Sequence, residues 1–61
     1  SGLIMSLWKV DDEATQELMS LFYKYWLKSN DRSNAFRQAQ NDIKNKYKSP
    51  YYWGAFVMVD N

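Results

Sequence analysis

Cysteine and histidine are both missing from this chain of 61 residues. No disulfide can form, and no metal site can be built on thiolate or imidazole. There is no thiolate nucleophile, no imidazole base, and no Ser–His or Cys–His pair, so the chain alone reads as no enzyme. No cofactor and no metal are expected. Glycine occurs twice and proline once, which excludes a low-complexity or disordered tract. Charge of one sign is scarce, because eight Lys and Arg face seven Asp and Glu. A net +1 leaves no long-range field to draw nucleic acid or an anionic membrane, and neither is expected as a partner. No apolar run approaches the roughly 18 residues of a membrane span. No basic segment leads into an apolar stretch, so no signal peptide is expected. The lack of cysteine fits a cytoplasmic setting.

What is present is dense apolar side chain. The hydrophobic share is 46%, with three Trp, five Tyr and three Phe. A chain this short buries only about 60% of its unfolded surface, and a core of its size rarely supplies more than about 3–5 kcal/mol. Residues 1–61 form one small domain at most. It needs a tight core or help from another chain.

Residues 3–8, Leu-Ile-Met-Ser-Leu-Trp, are too short for a helix and read as a strand. Leu3, Met5 and Leu7 face one way, Ile4, Ser6 and Trp8 the other. Asp11-Asp12-Glu13 opens a helix, with Asp12 as the cap. Ala14, Leu18, Leu21, Phe22, Tyr25 and Trp26 recur at helical spacing to about Lys28. Met19, Tyr23 and Leu27 add a flanking stripe, read as core. Ser29-Asn30-Asp31 breaks the helix and offers caps for the next. The second helix runs from about Arg32 to about Tyr47, with Phe36, Ala39, Ile43 and Tyr47 as its stripe and Ala35 beside it. Lys44, Lys46 and Lys48 read as a solvated helix end. Ser49-Pro50 stops that helix. Tyr51 to Val59 is aromatic and β-branched and reads as a strand. In it, Ala55, Val57 and Val59 share one face, and Gly54, Phe56 and Met58 share the other.

The fold class is therefore α+β, a strand-helix-helix-strand unit. A helix hairpin covers one face of a two-stranded antiparallel sheet. Both strands are apolar on both faces, so the second face is left bare, and a bare apolar face marks an interaction surface. A two-stranded sheet is also marginal alone. The expected partners are the remainder of a larger sheet domain or another copy of the chain.

Ser6-Leu7-Trp8-Lys9-Val10-Asp11-Asp12, then Ala14-Thr15, Leu18-Met19 and Phe22-Tyr23, resembles the C-terminal part of CHAT domains. The likeness continues through Ala35-Phe36 and Ala39-Gln40 into Pro50-Tyr51-Tyr52-Trp53-Gly54-Ala55-Phe56-Val57. CHAT domains are caspase-like and often stand beside tetratricopeptide repeats. The resemblance implies a clan of cysteine peptidases and a mostly parallel sheet between helices, with an antiparallel final strand. The chain would be about the last third of such a domain, without the catalytic His and Cys, which the family carries upstream.

By the same resemblance, the segment after the first strand lines a substrate cleft. Asp11 and Asp12 are then the candidates to receive a basic side chain of a polypeptide substrate. Asp12 is read as the helix cap and Asp11 as the freer of the two. Ser6, Trp8 and Lys9 would line the groove wall, where a substrate strand could add to the sheet. The alternative reading is a non-enzymatic module for protein–protein interaction or self-association, as a dimer through bare strand edges and a sheet face. Trp53, Phe56 and Met58 are the expected residues of that surface. Base stacking by Tyr51-Tyr52-Trp53 is disfavoured, because no basic groove accompanies it in the sequence.

Overall fold

The computed structural model describes the backbone of residues 2–60 and the side chains of residues 4–59. The expected facing of Leu3 lies outside the described side chains. The element order is β1 (Gly2–Ser6), α1 (Asp12–Ser29), α2 (Arg32–Lys46), α3 (Pro50–Trp53) and β2 (Phe56–Asp60). The strands pair antiparallel, with Ile4 opposite Met58, Met5 opposite Val57 and Ser6 opposite Phe56. The pairing extends one step further, as the Leu7 amide donates to the Ala55 carbonyl at 2.8 Å. The two-stranded α+β unit is thus the expected one.

The helices are set by their caps and by apolar side chains four residues apart. Asp11 caps α1, its carboxylate accepting from the Ala14 amide at 3.1 Å. The expectation that Asp12 caps is corrected: Asp12 lies in the first turn, where its charge meets the positive end of the helix. At the far end Asn30 takes a left-handed conformation, φ 56°, and its amide donates to the Trp26 carbonyl at 2.8 Å. Asparagine tolerates that conformation better than most residues. Asp31 then caps α2 through the Asn34 amide at 3.2 Å. One residue, Asn30, separates Ser29 from this cap, so α1 and α2 are held as a tight antiparallel hairpin.

The core is one cluster. Val10, Ala14, Leu18 and Phe22 come from the loop and α1, Ala35, Ala39 and Ile43 from α2, and Ala55 and Phe56 from the last segment. The alanines let the two helix backbones approach closely. Leu18 and Ile43 are the largest side chains with no exposure at all. The flanking stripe departs from expectation. Met19 is half-buried, but Tyr23 is exposed and Leu27 is 87% exposed. An apolar arc that wide exceeds what one neighbouring helix and two short strands can cover.

The second correction concerns residues 51–59. They do not form one strand. Pro50–Trp53 makes a short helix, with Ser49 as its cap and Pro50 in its first turn. Proline cannot continue a helix from behind, but its fixed φ suits the start of one. Gly54 closes this turn, its amide donating to the Pro50 carbonyl at 2.7 Å. A Cβ on Gly54 would lie 2.8 Å from that carbonyl oxygen, so the close turn requires glycine. The chain then enters β2 at Phe56.

The third correction is the facing of β2. Phe56 is only 5% exposed and belongs to the core, and Met58 and Ile4 pack beside it. Trp53 is half-buried on α3. Phe56 and Met58 therefore face the helices and are not an outer surface. The outward side carries Met5 at 44% exposure and Val59 at 43%, with Val57 half-buried between them. Ala55 does not share that side. It is buried in the turn ahead of the strand, where strand alternation has not begun.

Candidate functional site

The segment after β1 is where the sequence places substrate-facing residues, and nearly every residue of it is anchored. Leu7 is held by the hydrogen bond its amide donates to the Ala55 carbonyl. The Trp8 indole N–H donates to the Tyr51 carbonyl at 3.0 Å. The Tyr51 hydroxyl donates back to the Lys9 carbonyl at 2.8 Å. Val10 is buried in the core. The Asp11 carbonyl accepts from both the amide and the hydroxyl of Thr15, each at 3.0 Å. Trp8 and Tyr51 thus clasp the β1–α1 loop to α3. The clasp exists because α3 is helical: its turn brings Tyr51 back over residues 8 and 9, and the Tyr52 ring braces it edge-on at 5.2 Å.

Ser6, Trp8, Lys9, Asp11 and Asp12 are all exposed along this loop, so one segment presents all five. Their roles divide differently from the expectation. The Asp11 carboxylate is engaged as the helix cap. Asp12 is exposed and makes no side-chain hydrogen bond among the described residues. It is therefore the carboxylate left available to a basic group. Trp8 is neither plain core nor free, because its ring is exposed while its N–H is spent on the clasp. Trp53, Phe56 and Met58 lie elsewhere, on α3 and the inner sheet face. Among the described residues, no three of His, Cys, Asp and Glu come together as a metal site.

Beyond the loop lies a cluster the sequence did not reveal. Glu17 on α1 accepts from the Lys46 ammonium and from the Tyr47 hydroxyl, both at 2.7 Å. The hydrogen bonds from Lys46 and then Tyr47 hold the Glu17 carboxyl below its ordinary 4.5, against some desolvation. Tyr47 is pushed up to about 12, first by its hydrogen bond to Glu17, then by burial and by the Glu17 charge. Lys44, Lys46 and Lys48 are exposed, as a solvated helix end should be, but Lys46 is also paired with Glu17, and the Lys44 ammonium sits 5.0 Å from the centre of the Trp53 ring.

This cluster ties stability to pH at both ends. Tyr47 has a folded value above its ordinary 10, so its contribution is complete below pH 10 and is lost between about 10 and 12. Glu17 has a lowered folded value, so its contribution is complete above 4.5 and is lost as pH falls through the lowered value. Tyr47→Phe should make the fall of Tm between pH 10 and 12 less steep than in the wild type. Circular-dichroism melts across that range check this; an unchanged slope would show that the Tyr47–Glu17 bond is not formed in solution.

No helix among the described residues is long and apolar enough to cross a membrane. Neither the curated proteins nor the solved structures contain a match to this chain. A family model for the CHAT domain, however, matches residues 1–61. The match spans both strands, the helix hairpin and the clasped loop, and by it the chain belongs to the CHAT domain family.

Proposed function

We propose that the chain is the C-terminal subdomain of a CHAT-type cysteine peptidase, supplying two strands of its central sheet and one wall of its substrate cleft. The observation that carries this reading is the bare outer side of the sheet. Met5 and Val59 are each more than two-fifths exposed there, and α1 and α2 lie on the opposite side. A two-stranded sheet with one covered face is marginal alone, and sheets of the parallel type that caspase-like domains contain are covered on both faces. Further strands and helices of the same domain are the natural cover. The catalytic His and Cys would reside in that remainder, since this chain has neither.

In this reading Asp12 receives the basic side chain of a polypeptide substrate. Ser6, Trp8 and Lys9 form the wall, and Asp11 holds the turn that presents Asp12. The Trp8–Tyr51 clasp supports the assignment, because a specificity carboxylate works best on a loop whose geometry is already paid for by local hydrogen bonds. A cytoplasmic parent suits a sequence without cysteine.

The test uses the parent polypeptide with its upstream sequence. Asp12→Asn should lower kcat/KM for a peptide with arginine before the scissile bond by about ten- to a hundredfold, the equivalent of losing one charged hydrogen bond of about 1.5–3 kcal/mol. A peptide with alanine there should be cleaved at an unchanged rate. Equal losses on both peptides would remove Asp12 from specificity. An upstream sequence without a His and Cys pair would remove the peptidase reading altogether.

The second reading, a non-enzymatic association module, draws on the same bare face and on the two unpaired strand edges. Sedimentation of the chain at micromolar concentration separates the two: a monomer at all concentrations counts against self-association.

A further inference from the structure

We infer that the groove between α2 and α3 is a docking site for an acidic peptide segment. The formal charge of +1 conceals a division within the molecule. Asp11, Asp12, Glu13 and Glu17 gather at the start of α1, where Lys46 of α2 pairs with Glu17, whereas Arg37 and Lys44 of α2 line the groove, and the one carboxylate within α2 is Asp42. That carboxylate is turned to the other side, where it accepts from the Tyr25 hydroxyl on α1. The groove is lined by Arg37, Gln40, Asn41, Lys44 and Trp53. Arg37, Asn41 and Lys44 are all exposed, and neither cation has a carboxylate partner among the described residues.

The floor of the groove is rigid. The Gln40 amide donates to the carbonyls of Trp53 and Phe56, at 2.6 and 3.2 Å. The Trp53 indole N–H donates to the Lys48 carbonyl at 3.4 Å. Lys44 is held over the Trp53 ring. Two cations one helical turn either side of the Asn41 amide, on an ordered aromatic floor, suit carboxylates on an extended peptide. Charge complementarity selects that partner over a neutral or basic one. A nucleic acid would need a longer run of cations to gain affinity from its phosphates. None of the residues lining the groove belongs to the β1–α1 loop, so this inference stands or falls independently of the peptidase reading.

The test is a titration of the isotope-labelled chain with hexaglutamate, followed by NMR. The Trp53 indole and Asn41 side-chain signals should shift saturably at low salt and lose the response as salt rises. Arg37→Gln and Lys44→Gln should each weaken binding about two- to fivefold, as loss of one exposed ion pair does. Both positions are exposed, and matching circular-dichroism spectra verify that the fold is kept. Lys28→Gln, an exposed cation on α1, should leave binding unchanged. The inference is overturned by a response that does not saturate, or by equal weakening from Lys28→Gln. It is likewise overturned if oligothymidylate or inorganic phosphate binds the groove as tightly as hexaglutamate.

Discussion

Phe56→Ala should leave the chain largely unfolded at room temperature. Phe56 is 5% exposed and is, among the described residues, the one large side chain that β2 sends into the core itself, with Ile4 and Met58 packed beside it. Removing a buried phenylalanine costs about 3–5 kcal/mol, counting both lost transfer energy and the cavity left behind. A domain of this size has about that much stability in total. Val59→Ala, three residues on and on the outward side, should change stability by no more than about 0.5 kcal/mol. Urea unfolding of the pair measures both. The contrast also tests which way β2 faces: if Phe56 were outward, its removal would be the mild change and that of its neighbours the severe one.

Leu18→Ala should be nearly as damaging. Leu18 has no solvent exposure and lies in the α1 row Ala14, Leu18, Phe22 that meets Ala35, Ala39 and Ile43 of α2. A buried leucine truncated to alanine costs about 2–5 kcal/mol, at the upper end where neighbours cannot collapse into the space. Here Ala35 and Ala39, anchored on the α2 backbone, have no side chain to swing inward. Leu27→Ala provides the matching control. Leu27 sits on the same helix but is 87% exposed, and its removal should cost no more than about 0.5 kcal/mol. Equal losses at positions 18 and 27 would mean that another surface covers Leu27 in solution.

These two pairs also show how far residue patterns reach. Leu18 and Leu27 are alike in kind, and both fall on apolar stripes of one helix. The stripe spacing announces a helix, but not which part of a wide apolar arc the neighbour covers. That depends on where α2 crosses, and the crossing is set by Ala35 and Ala39. Phe56 presents the same difficulty in a strand. Alternation sorts residues into two faces and is blind to which face meets the helices when both are apolar. The Gln40 amide, bonded to the Trp53 and Phe56 carbonyls, fastens this end of the chain to α2, and no spacing rule foretells such a bond.

For the site, the segment from Ser6 to Asp12 was visible as a strand end, a charged loop and a helix start. The division of labour between Asp11 and Asp12 was not, because either can cap and the choice turns on where the helix begins by a single residue. The contacts of Tyr51 with Trp8 and Lys9 are not legible in the sequence. One signal was available: Ser49-Pro50 is a cap followed by proline at a first helical position, as well as a helix stop. As a stop alone, Ser49-Pro50 leaves residues 51–59 as strand; as a helix start it yields α3 and with it the clasp on Trp8 and Lys9.

Local chemistry settled the opening strand, the hairpin of α1 and α2 and a closing strand, the lack of any thiolate or imidazole, and strands that are apolar on both sides. Those features depend on caps, breakers and residue types acting within a few positions of themselves. Packing alone decided that β2 turns Phe56 inward, that Tyr23 and Leu27 stay in solvent, and that Tyr51 reaches the β1–α1 loop. Each of those depends on groups distant in sequence competing for one surface, and a pattern along the chain does not record which of them gets there.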